Sequence, residues 1–265
     1  MKKYLSLTRA GILESFQYRL ALMVMVVGNL LYLLVIYYLW KAIYASAGTD
    51  VVNGMRFEDT LIYLVLATAL YNFMEMYAVW EMSHSIQTGK IVLDLLKPVP
   101  YRRYLFWTFS GSFVVNFFAT FLPTFVAVCF VTKGRIVFGM NIPLFVISVV
   151  MAMVINYCID FFIGTICFYT ESTWGINIMK QVIVLLLSGA TIPLAFFPET
   201  LRTIVSCLPF QAIYNTPLMV LLNGNLSIET ALRSMGIQLV WCGVLLLIDD
   251  IFWRISIRKI MVNGG

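Results

Sequence analysis

The chain has 265 residues, 61 % of them hydrophobic and 12 % charged, with a mean hydropathy of +0.90. That balance excludes an ordinary soluble domain and points to an all-α integral membrane protein with several spans. The net charge of +5 does not argue for nucleic-acid binding, because the basic residues lie scattered at the ends of apolar blocks rather than on one face.

Residues 1–19 carry Lys2, Lys3, Arg9 and Arg19 between Leu5, Ile12, Leu13 and Phe16 at three- and four-residue spacings, the pattern of a helix lying on the inner membrane surface. No charge interrupts Leu20 to Trp40, and about 20 apolar residues are what a bilayer core requires, so this is the first span. It is too long, and too far from the basic start, for a cleavable signal peptide. Ala45 to Asp59 reads as a short external loop and Thr60 to Trp80 as the second span.

Ser83 to Arg103 is a polar and basic island. Ile91, Val92, Leu95 and Leu96 recur on one helical face with Lys90, Asp94 and Lys97 on the other, which predicts a short amphipathic helix ended by Pro98 and Pro100. Such a helix presents a surface to a partner at the cytoplasmic face; a basic loop that only fixes topology would look the same locally.

Tyr104 to Val131 is a third span with Pro123 inside it, Lys133 to Asn141 an external turn, and Ile142 to Tyr169 a fourth span holding Asp160. Glu171 to Lys180 returns through the cytoplasm, and Ile176 to Pro193 is the fifth span. From Ile192 to Gly224 the chain is apolar but broken by Pro193, Pro198, Pro209 and Pro217, a spacing that no continuous helix tolerates. Two short helices, near Glu199 to Leu208 and Tyr214 to Leu222, are expected to dip into the outer leaflet without crossing it. Glu229 to Trp253 is the sixth span. With both termini inside, twelve Lys and Arg fall on the cytoplasmic side and six outside, as the positive-inside rule requires.

Enzyme chemistry finds little support. His84 is the only histidine, the five cysteines show no CxxC spacing, and there is no GxxxxGK[ST] loop, so neither a metal centre nor ATP hydrolysis belongs to this chain. The acids in or near the spans are Glu75, Asp160, Asp249 and Asp250. Acids buried in lipid are functional candidates by default. Glu75, Asp249 and Asp250 sit near inner ends, either solvated there or part of a proton or ion relay; Asp160 is deeper, either paired with a base such as Lys180 or lining a pathway. Gly28, Gly111, Gly164 and Gly189 supply small positions for close helix packing.

Taken together, the N-terminal basic helix, six spans, the island motif with Gly89, Lys90, Asp94, Leu95, Leu96, Lys97 and Pro98, and the late block with Ser188, Gly189, Pro193, Phe196, Phe197, Pro198, Pro209, Tyr214 and Pro217 resemble the permease subunits of type-2 ATP-binding-cassette exporters. The resemblance covers nearly the whole chain, which is then one transmembrane domain, residues 1–265. It implies that Gly89 to Pro98, Ile91 included, is the coupling helix that docks on the ATPase, within a loop spanning 83–103. It also implies that Pro193 to Gly224 is an outer re-entrant hairpin and gate, with Pro193, Phe197, Pro198, Pro209, Tyr214 and Pro217 in it. The implied partners are an ABC ATPase subunit that carries ATP and Mg, a second permease of the same or a different kind, membrane lipid and an unidentified amphipathic substrate. This chain would bind no cofactor and no nucleic acid, and its place would be the bacterial cytoplasmic membrane. The competing class is a stand-alone secondary transporter with Glu75 or Asp160 as its ion site.

Overall fold

The computed structural model describes residues 2–17, 19–132, 139–170, 173–222 and 228–259. Most of the external turn from Lys133, Glu171 of the second cytoplasmic connection, and Gly224 at the end of the outer region lie outside them. The described chain is nearly all helical. In order it forms α1 (Lys2–Gln17), α2 (Arg19–Ala47), a hairpin of β1 (Val51–Val52) and β2 (Met55–Arg56), α3 (Phe57–Met74), α4 (Ala78–Gln87), α5 (Ile91–Leu95) and α6 (Tyr101–Asn116). A π-helical turn (Phe117–Phe121) leads into α7 (Leu122–Thr132), followed by α8 (Asn141–Ile166), α9 (Trp174–Leu187), α10 (Glu199–Ser206), α11 (Gln211–Leu222) and α12 (Ile228–Ser256). The expected external loop closes as a two-residue hairpin, because Asn53 and Gly54 both adopt positive φ, the geometry of a type I′ turn.

Five segments are long and apolar enough to cross a membrane: Met23–Ala47, Phe57–Gln87, Tyr101–Thr132, Asn141–Ile166 and Ile228–Lys259. They coincide with five of the six expected spans. The expected fifth differs: α9 has 14 residues, about 21 Å at 1.5 Å per residue, short of the roughly 30 Å hydrocarbon core. It ends at Ser188 and Gly189 (φ +82°), where a Cβ would stand 2.7 Å from the Tyr63 hydroxyl. The two short helices expected from the proline spacing are present as α10 and α11, bent by 102°.

α8 is the hub. α11, α12 and α4 pack along it, and α3, the most enclosed span, buries Leu66, Ala67, Leu70 and Met74 completely against its neighbours. α2 lies at the periphery, with Leu30, Leu31, Leu34 and Val35 all exposed, a surface suited to lipid or a second subunit.

Two departures from regular helices have identifiable causes, and one helix pair packs unusually closely. Pro123 has no N–H and its ring crowds the carbonyl four residues back, and the helix responds by widening into the π turn at Phe117–Phe121 just before it. α3 breaks at Glu75–Tyr77 without any Gly or Pro; the freed Met74 carbonyl accepts 3.0 Å from Asn156 Nδ2 of α8. α1 is held against α6 by backbone contact: a Cβ at Gly11 would overlap the Thr108 carbonyl oxygen, and one at Gly111 would meet the backbone of Gly11 and Ile12 at 2.5–2.6 Å. Thr8 Oγ1 and Ser110 Oγ share a 2.6 Å hydrogen bond alongside. Contacts run along the pair from Tyr4–Trp107 to Ser15–Ser112.

Candidate functional site

The polar island is built as a turn–helix–turn outside the spans. α4 ends where Thr88 donates to the His84 carbonyl through both its N–H (3.0 Å) and its hydroxyl (2.6 Å), and Gly89 turns the chain at φ +74°. A side chain at Gly89 would be strained in that left-handed conformation. Five residues of α5 follow; Pro98 and Pro100 then stop the turn, and the Pro100 carbonyl accepts the first bond of α6 from Tyr104 N–H at 2.9 Å.

The faces of α5 differ from the sequence pattern. Ile91 (2 % exposed) and Asp94 (4 %) both point inward, whereas Leu93 (66 %) and Leu96 (77 %) point out. The cause is electrostatic: Asp94 turns in to meet Lys97 Nζ at 2.7 Å, and Lys97 in turn lies 3.9 Å over the Tyr104 ring. Lys90 reaches back to Glu81 at 2.9 Å. Hydrogen bonding to Glu81 holds the Lys90 ammonium above its ordinary pKa. Burial pulls Lys97 down, but hydrogen bonding to Asp94 and Tyr104 outweighs it, so Lys97 also stays charged. Leu95 is half-buried between these faces. The apolar surface left outward is therefore Leu93 with Leu96, one helical turn apart.

Above the turn, between α1, α4 and α6, lies a cavity of about 890 Å³. Its wall includes Glu75 from the break after α3, Tyr77 and Trp80 from the start of α4, Glu14 from α1, and Phe109 from α6. Glu75 is half-buried there, not simply solvated at a helix end. One turn apart on α8, Asn156 and Asp160 face the same break; Asp160 is 1 % exposed and pairs with Lys180 Nζ of α9 at 2.6 Å. Asp160 is thus the paired acid of the two alternatives, its charge compensated within the chain.

In the outer region, Pro193 and Pro198 precede the short turn Leu194–Phe196 and α10, and their carbonyls accept from Phe196 N–H (3.0 Å) and Arg202 N–H (2.8 Å). Phe196 packs edge-on against Trp40 of α2 at 4.7 Å, with Phe197 half-buried beside it. Pro209 fills the bend between α10 and α11, and Pro217 and Tyr214 are buried in α11, Tyr214 with its ring 6.0 Å from that of Tyr71. Glu75 lies in the break after α3 and Asp160 on α8, both within electrostatic reach of Tyr214, so of the sequence-predicted outer residues Tyr214 adjoins the intramembrane acids.

Several polar residues escaped the sequence reading. Gln238, fully buried on α12, donates to the carbonyls of Ser148 and Ala212 (both 2.8 Å) and accepts from Ser148 Oγ (2.9 Å), joining α12, α8 and α11. Asn72 donates to Asn29 Oδ1 (2.9 Å) and its carbonyl accepts from Asn116 (3.2 Å), joining α2, α3 and α6. An amide in the middle of an otherwise apolar span was the available signal. Asp249, expected to be solvated, is 2 % exposed beside Cys158 and Arg102, with neither oxygen meeting a donor in good geometry; Asp250 is half-exposed and pairs with Arg254 at 2.9 Å. Among the described residues no group of His, Cys, Asp and Glu is placed to hold a metal ion.

A family model described as "ABC-2 family transporter protein" matches residues 30–264, from the middle of α2 onward. No curated protein matches the chain.

Proposed function

The chain belongs to the ABC-2 family of transporter proteins, and we propose that it is the permease subunit of an ATP-driven exporter, forming half of the substrate pathway and taking its drive from a separate ATPase. The observation that carries the reading is the exposed pair Leu93 and Leu96 on a rigid turn outside the spans. Burying a leucine is worth about 1.5–3 kcal/mol, so two leucines seated in an ATPase groove supply a few kcal/mol. A contact made better in one state than the other shifts the balance between inward- and outward-facing forms by that difference. The Lys90–Glu81 pair ties the turn to α4 and the Lys97–Asp94 pair closes the turn on itself, so force on it passes into the span.

In this reading both termini face the cytoplasm of a bacterial cell and α1 rests at the inner interface. α9 crosses as the fifth span with the Ser188–Pro193 segment completing its length. α10 and α11 form the re-entrant outer gate, supported by their 102° bend and by the buried prolines. A second permease of the same or another kind faces this one across the pathway, with the exposed side of α2 available for it. ATP and Mg sit on the ATPase. The Asp160–Lys180 pair leaves Asp160 no free charge for a cation, so an ion-coupled transporter would have to rely on Glu75 alone.

The test is to purify the tagged chain from its native cells in mild detergent. A P-loop ATPase is expected with the wild type and to be lost with Leu96→Asp, while that variant still inserts and elutes as a single species. A wild-type chain that comes out alone, or an ATPase retained by Leu93→Asp/Leu96→Asp, would overturn the assignment.

A further inference from the structure

The inner cavity has a chemistry that the docking turn does not use. At about 890 Å³ it lies in the upper part of the range typical of small-molecule sites, roughly 300–1,000 Å³. Four carboxylates line it, those of Glu14, Glu75, Glu81 and Asp94, against a single ammonium, Lys90. Glu81 and Asp94 are already neutralised by Lys90 and Lys97 and form the floor. Glu14 and Glu75 have no ion pair among the described residues, and they enter from different elements, α1 and the break after α3. Between them the wall is aromatic: Tyr77 and Trp80 are 61 % and 41 % exposed, turning ring surface into the space, and Phe109 lies across on α6.

Each component narrows the occupant. Two carboxylates outside any ion pair, with only Lys180 in electrostatic reach of Glu75, repel an anion, and a neutral solute would leave both without a hydrogen-bonded partner as it displaced their water. A bare metal ion needs neither this volume nor aromatic walls, whereas ring faces attract a cation that is itself bulky and weakly hydrated. We propose that this cavity is a binding site for an amphipathic organic cation, held between Glu14 and Glu75 and packed on Trp80 and Tyr77. As a statement about cargo this rests on the permease reading. The floor pairs also belong to the docking turn, since Lys90 and Asp94 are in both. Occupancy and ATPase engagement therefore bear on the same residues.

The probe is radiolabelled tetraphenylphosphonium, with tetraphenylborate as an anion of the same shape, and the protein is the full chain with whatever subunits accompany it in nonionic detergent. Saturable phosphonium binding is expected, resisting displacement by the borate. Glu75→Gln should weaken it about tenfold, the loss of one half-buried charge contact, and Glu14→Gln and Trp80→Leu each by several-fold. Glu14 is exposed on α1 and Trp80 is at the cavity wall, so these two carry the test if Glu75→Gln aggregates. Non-saturable binding, equal displacement by the borate, or unchanged binding in Glu14→Gln and Trp80→Leu would overturn the site. Phosphonium binding by a chain that purifies without any ATPase would keep the site while removing the permease reading. An ATPase complex that does not bind the probe would do the reverse.

Discussion

Gly111→Ala should loosen the N-terminal helix from the bundle. Its new methyl would stand 2.5 Å from Ile12 N and 2.6 Å from Gly11 C and the Thr8 carbonyl oxygen, and every one of these atoms is backbone. No rotamer can relieve that overlap, so α1 must retreat from α6 by nearly an ångström to restore ordinary contact at 3.4 Å. The Thr8–Ser110 hydrogen bond of 2.6 Å stretches with it. Overpacking of this kind costs about 1–3 kcal/mol. At about 2–4 °C per kcal/mol for a chain of this size, the melting temperature in detergent should fall by several degrees. The matched control is Gly28→Ala on α2, where the added methyl meets nothing within 4 Å and helix propensity favours alanine by about 0.8–1 kcal/mol. The same chemical change should therefore act with opposite sign at the two sites, read by fluorescence-detected size exclusion over a temperature series. Equal behaviour of the two variants would refute the close crossing of α1 and α6.

Lys180→Met should cost about 3–5 kcal/mol by leaving Asp160 charged and buried, and Lys180→Met/Asp160→Leu should recover most of it; a double variant no better than the single one would contradict the isolated pair seen at 2.6 Å. Gly189→Ala combines a left-handed backbone, disfavoured by about 1–2 kcal/mol, with a methyl 2.7 Å from the Tyr63 hydroxyl. Its thermal destabilisation should be partly rescued by Tyr63→Phe, and the absence of rescue would place the whole cost in the backbone.

What the sequence could show was whatever depends on residues close together along the chain. Proline spacing between Ile192 and Gly224 sufficed to anticipate α10 and α11, because Pro193, Pro198 and Pro209 each disfavour a helix interior wherever the rest of the chain lies, although Pro217 is accommodated inside α11. Long apolar runs likewise located five spans, and Asp160 within one of them raised the pairing that Lys180 supplies. The misses were tertiary. α3 breaks at Glu75 because Asn156, 82 residues away, satisfies the Met74 carbonyl. Asp94 turned inward because Lys97 and the end of α4 gave it company, and that rotated Leu93 outward in place of Ile91. A five-residue helix is too short for hydrophobic spacing to fix its facing. Gly11 carried no local signal at all, since its importance appears only when Gly111 comes alongside.

The central claim is that drive from the ATPase enters through the turn carrying Leu93 and Leu96. The most direct measurement places a photo-crosslinking amino acid at position 93, 96 or 50 in turn and irradiates native membranes. The account predicts an adduct with a P-loop ATPase from positions 93 and 96, strengthened or weakened by ATP, and none from Asp50 in the loop beside the outer hairpin. No ATPase adduct from either leucine position, or an equal yield from position 50, would contradict it.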